Sequence, residues 1–202
     1  AYLSAYALAE YVVVTCDSIS MISEAAASGK PIYVAHMKPK KDIYRFKRFF
    51  QLFEDMGIIK NHIFGVKIGY EFFFNFGLEG YKIIQNKNIN IFLDLKLHDI
   101  PNTIKNSIKA IQYLKPYFTT VHISGGDQML EATNIKNKET KILGVSALTS
   151  LDDEQVEKYY LRKNAKELVS DFTHFAIENK LDGIVCSPHE IEIVKNIAEN
   201  KV

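Results

Sequence analysis

Cysteine is nearly missing from this chain, with only Cys16 and Cys186 among 202 residues. Two isolated thiols make neither a disulfide framework nor a cysteine-based zinc site, and they read as reduced thiols of a cytosolic protein. An excess of one charge is missing too, since 25 Lys and Arg face 24 Asp and Glu. Nothing global therefore asks for nucleic acid or an anionic membrane as partner. Long apolar runs are absent as well. The opening AYLSAYALAEYVVVTC is interrupted by Glu10 and follows no basic segment. No run approaches the roughly 18 residues that would span a bilayer, so neither a signal peptide nor a transmembrane helix is expected. His98 and His189 lack metal-ligand spacing, which leaves no metal site to expect. There is no low-complexity segment and no Gly/Ser linker.

What remains is ordinary globular material, long enough for one large domain or two small ones. Short apolar runs at 11–15, 31–35, 63–69, 89–97, 118–124, 141–147 and 182–186 read as strands. Between them lie amphipathic stretches such as SMISEAAASG, DIYRFKRFFQLFEDMG, EFFFNFGLEGYKIIQN and NTIKNSIKAIQYLK. Gly29 and Gly57 stand where helices end, and Pro101 suits a first helical turn. Repeated βα units predict an α/β protein with a parallel sheet.

One strand is unusual. IFLDLKLHDIPNT, from Ile91 to Thr103, carries Asp94 and Lys96 within a hydrophobic run and Asp99 just after it. Charged residues are rarely buried without partners. Alternate residues of a strand face opposite sides. Ile91, Leu93, Leu95 and Leu97 would face helices, while Phe92, Asp94, Lys96 and His98 would share the other side. An interior near the C-terminal rim of a barrel suits that second face, because such folds place their chemistry there. The run at 63–69 repeats the design, with Lys67 between Gly65 and Gly69 on one face. Two strands thus aim lysines at one interior.

FLDLKLHDIPNT closely resembles the core motif of the orotidine 5′-phosphate decarboxylase family. The likeness continues through GVKIGYEFFFNFG, VHISGG, LGVSALTSLD and LDGIVCSP, in that family's order and spacing, from about Phe64 onward. The Asp-x-Lys-x-x-Asp core is shared with sister barrels acting on sugar phosphates, whereas HDIPNT is particular to the orotidylate enzymes. The resemblance implies a metal-free and cofactor-free decarboxylation of orotidylate to uridylate in de novo pyrimidine synthesis, by a homodimer. It implies that Lys96 protonates C6, that Asp94 sits beside the substrate carboxylate, and that Lys67 joins the charged array near the ribose. Asp99 would serve the neighbouring subunit's site, with Ile100 and Thr103 close by, and Thr149 would contact the pyrimidine ring. His122 falls in the substrate region, though as a residue it also reads as a satisfied interior histidine. Without the family, Lys96 with Asp94 and Asp99 reads equally as a structural ion-pair network.

The first sixty residues follow another pattern. VVVTCDSISMISEAAASGKPIYV and the Arg/Phe-rich helix after it resemble the end of the mitochondrial-fission ELM-type family, whose architecture is similar to GT-B glycosyltransferases. The resemblance implies a helix N-terminus facing a nucleotide diphosphate at Asp17, Ser18 and Ser20; as residues, Asp17 or Ser18 reads first as a plain helix cap. The basic residues Lys38, Lys40, Lys41, Arg45, Lys47 and Arg48 read as a solvated helix face or a phosphate site. The expected organisation is a GT-B-like βαβα segment over 1–60, then a partial TIM (β/α)8 barrel over 61–202. That barrel would lack the first strand and the last two βα units, including a phosphate-gripping arginine. A fragment or joined product with weak or no activity alone is the expectation. A nucleotide-sugar-binding fragment and an inactive fusion are the alternatives.

Overall fold

In the computed structural model, which describes residues 12–15, 32–35, 65–136 and 138–198, each of the seven expected strands is present. The chain divides into two units, Ala1–Ile91 and Phe92–Val202. The expected helices before residue 65, with Gly29 and Gly57, lie outside the described residues.

In the first unit, Val12–Thr15 (β1) and Ile32–Ala35 (β2) pair in parallel, with Val12 opposite Ile32. Gly65–Ile68 (β3) leads into the helix Tyr70–Gln85 (α1), which buries Phe72, Tyr81 and Ile84. The sequence reads here as one amphipathic stretch, EFFFNFGLEGYKIIQN. The structure kinks it at Gly77, whose φ of 55° and ψ of −149° are not helical. Without a Cβ, glycine adopts such a backbone at little steric cost, so the kink falls at a residue that tolerates it.

Asn90–Leu97 (β4) carries the chain into the second unit. There β4 pairs in parallel with Phe118–His122 (β5), β5 with Lys141–Val145 (β6), and β6 with Gly183–Val185 (β7). These strands continue a five-stranded sheet ordered β3-β4-β5-β6-β7. Parallel neighbours need crossovers, and helices supply them. They are Pro101–Leu114 (α2), Asp127–Glu131 (α3), Asp153–Tyr160 (α4) and Ala165–Glu178 (α5), with Ile191–Ala198 (α6) after β7. This run of parallel βα units is the order expected for part of a (β/α)8 barrel.

Local sequence explains the starts. Pro101 opens α2 after an extended Ile100, as its fixed φ favours. Asp152 opens α4 with a capping box, its side chain accepting from the Gln155 N–H at 2.8 Å. Ile104 and Ile108 of α2, Val121 and Ile142 of the sheet, and Val169 and Phe172 of α5 belong to one buried cluster. Each such side chain contributes about 1.5–3 kcal/mol by leaving water. Gly144 of β6 lets α/β packing close in, since a Cβ there would stand 2.7 Å from both Ile123 Cγ1 and Leu181 Cδ1. Among the described residues no helix is long and apolar enough to cross a membrane.

Candidate active site

Of the hydrophobic face that alternation predicts for β4, Ile91 and Leu93 are buried, Leu97 packs on the core cluster and Leu95 is half-buried. Asp94 is buried as well, at 5% exposure. It therefore needs partners, and the irregularity that follows supplies them. Leu93 stands opposite Thr119 and Leu97 opposite Val121, so four steps along β4 span two along β5. The strand bulges between them, and Lys96 takes a φ of 41°. Simple alternation does not foresee this, because bulges insert residues without changing the hydrophobic pattern around them.

Two adjacent threonines of β5, both fully buried, meet the bulge. The Thr119 hydroxyl donates to the Leu93 carbonyl oxygen at 3.0 Å. The Thr120 hydroxyl donates to Asp94 Oδ1 at 2.9 Å and accepts the Lys96 backbone N–H at 2.8 Å. On the other carboxylate oxygen, Asp94 Oδ2 accepts from Lys96 Nζ at 2.7 Å. Asp94 and Lys96 thus form a charge-assisted pair anchored to the next strand.

Two imidazoles stand beside this pair. The His98 and His122 rings are 5.3 Å apart and tilted by 38°. Burial, then the charges of His98 and Lys96, push the His122 pKa below the usual histidine value, while Asp94 acts the other way. The surroundings therefore favour the neutral form of the His122 ring. The turn after β5 closes over the same place, since a Cβ at Gly125 would lie 3.3 Å from His98 Cδ2.

Four of the other expected site residues stand at the surface. Asp99 is exposed in the bend after β4, its Oδ1 accepting the Ile100 N–H at 2.7 Å. Ile100 is 67% exposed, and Thr103 is exposed in the first turn of α2. Thr149 is exposed in the turn between β6 and α4. Lys67 is half-buried on β3, in the first unit. Asp17, Ser18, Ser20 and the basic residues from Lys38 to Arg48 lie outside the described residues. A cavity of about 360 Å³ lined by Pro101, Asn102, Lys105, Gln128 and Glu131 holds none of the charged pair. At the end of β7, burial and then Glu190 push the Cys186 thiol up to about 11, an inert thiol.

Sequence reasoning passed over Thr120 and the ring contact of His98. The signal available was the doublet Thr119-Thr120 in an otherwise apolar strand, FTTVH, which marks polar groups needing partners inside.

Residues 42–202 match the family model described as orotidine 5′-phosphate decarboxylase / HUMPS family. The chain belongs to this family. Curated orotidine 5′-phosphate decarboxylases align with it: that of Erythrobacter litoralis is 42% identical over 137 residues, 67% of this chain and 61% of the relative. That of Ligilactobacillus salivarius is 37% identical over 173 residues, 82% of this chain and 70% of the relative. Against the Erythrobacter and Sphingopyxis alaskensis decarboxylases the chain spans about three-fifths of the relative's length. Among solved structures, an orotidine 5′-phosphate decarboxylase from Lactobacillus acidophilus superposes with a TM-score of 0.59 at 28% identity, covering 95% of this chain and 76% of that one. An uncharacterized conserved protein from Geobacillus kaustophilus gives 0.69 at 26% identity, covering 93% and 78%. Residues 1–71 match a second family model, mitochondrial fission ELM1, as the opening residues predict. The two matched ranges overlap over 42–71.

Proposed function

We propose that the site around Asp94 and Lys96 decarboxylates orotidine 5′-phosphate to uridine 5′-phosphate, the reaction named for this chain's curated relatives. The observation that carries the reading is the 2.7 Å contact of Lys96 Nζ with Asp94 Oδ2 near the C-terminal end of β4. The carbanion developing at C6 has no adjacent carbonyl to take up its charge. The barrier must then fall through fixed charge, which usually contributes more than any other effect in such catalysis. The Lys96 ammonium is both the stabilising cation and the proton donor to C6. Asp94 holds that ammonium at 2.7 Å, and it also faces the substrate carboxylate. Two unit charges about 3 Å apart interact by roughly 5 kcal/mol at an effective dielectric of 20. That repulsion vanishes as carbon dioxide leaves.

In the same reading Lys67 completes the array beside the ribose, Thr149 contacts the pyrimidine ring, and His122 lines the substrate. Asp99, Ile100 and Thr103, all at the surface, serve the partner subunit of a homodimer in the cytosol. The domain division is a GT-B-like segment over 1–60 followed by the barrel portion over 61–202. No metal or cofactor takes part.

The test is turnover of orotidylate by the purified chain, followed by the fall in absorbance as uridylate forms. Weak turnover is expected, falling by about 10²–10⁴-fold in Lys96→Ala with the loss of the proton donor. No turnover at concentrations high enough to form a dimer would overturn the reading.

A further inference from the structure

We propose that Thr120 is a positioning residue of the charged pair, setting both the Asp94 carboxylate and the Lys96 backbone through one hydroxyl. A hydroxyl has one proton to give and lone pairs to receive. Here the proton goes to Asp94 Oδ1 at 2.9 Å, and a lone pair takes the Lys96 N–H at 2.8 Å. Asp94 Oδ2 in turn holds Lys96 Nζ at 2.7 Å. The result is a closed ring of contacts running from the Lys96 amide through Thr120 and Asp94 back to the Lys96 ammonium. Every link but the ammonium end is shielded, with Thr120 at 0% and Asp94 at 5% exposure.

The ring stands at the place where β4 leaves its register with β5 and Lys96 takes a positive φ. A non-glycine residue holds such a backbone only where its surroundings fix it. Thr120 does so from the neighbouring strand. Valine in its place keeps the shape of the side chain and removes both links at once. Serine keeps both links and removes only a methyl group.

The effect on turnover rests on the decarboxylase reading, and the effect on the Lys96 amide does not. The experiment measures hydrogen exchange at the Lys96 amide by NMR, together with kcat and KM for orotidylate, in the full chain and in Thr120→Val and Thr120→Ser. In the unsubstituted chain the Lys96 amide should exchange slowly; exchange at the rate of an exposed loop amide would overturn the proposal without any variant. In Thr120→Val that amide should exchange about tenfold faster, the loss of one hydrogen bond. Its kcat should fall on the order of 10²-fold, as for a misplaced reacting group, with KM little changed. Thr120→Ser should restore both. Unchanged exchange at Lys96 in a folded Thr120→Val chain overturns the positioning role, and so does a Thr120→Ser chain as impaired as the valine variant. Absent turnover in the unsubstituted chain, with the Lys96 amide protected and released as described, supports the positioning role while sinking the decarboxylase reading.

Discussion

The Asp94 carboxylate is buried while the Lys96 ammonium bonded to it is not, their side chains being 6% and 29% exposed. The acid is therefore the fixed end of the pair and the lysine the end that meets solvent or substrate. The ammonium end is open to water, which screens the pair and limits what it adds to stability. Asp94→Asn should accordingly shift the melting temperature by no more than about 4 °C, roughly 1 kcal/mol in a chain of this size. Turnover should drop on the order of 10²–10³-fold, the usual effect of removing one preorganised electrostatic partner. Calorimetry beside the turnover assay separates the cases. A large fall in melting temperature with turnover intact would make the pair a structural ion-pair network.

Gly144 tests how closely the sheet is covered. Ile123 and Leu181 are both buried, so neither can yield to a new methyl group at the 2.7 Å contacts described. Gly144→Ala should cost about 1–3 kcal/mol, the range for overpacking a filled core. Urea unfolding should show a lower midpoint with the slope unchanged.

His122 should make stability depend on pH. Its folded pKa lies below the ordinary value, first through burial and then through His98 and Lys96, with Asp94 opposing. The unfolded chain therefore binds the proton more readily, and stability rises with pH between the folded value and about 6.5. As pH falls through that window, the stabilisation is lost. Melting temperatures recorded from pH 5 to 8 should decline on the acid side, and His122→Asn should flatten the decline. Parallel curves for the two chains would remove His122 as the cause.

The sequence made the strands legible because each is a short apolar run bounded by helix-patterned segments. Pro101 marked the start of α2, and the alternation around Asp94 and Lys96 marked the charged face. The bulge was not legible. Its cause is the match between β4 and β5, and no local pattern in IFLDLKLHD encodes how FTTVH will lie beside it. Asp99 stands just after the strand in the sequence, and the structure leaves it exposed in the bend after β4. The kink at Gly77 was present as a residue in EFFFNFGLEGYKIIQN, yet the apolar residues on either side continue a helical pattern across it.

The φ of 41° at Lys96 reverses an ordinary ranking of residues. Inside a strand glycine is weaker than alanine by about 0.5–1 kcal/mol, through its greater freedom when unfolded. A left-handed backbone penalises every side chain with a Cβ, by about 1–2 kcal/mol. Lys96→Gly and Lys96→Ala both delete the ammonium and differ only in that carbon, so the glycine chain should be the more stable of the two. A strand position where glycine outranks alanine is one whose residue was chosen against its backbone, and on the proposed decarboxylase reading the ammonium at the far end of the Lys96 side chain is the reason to keep it.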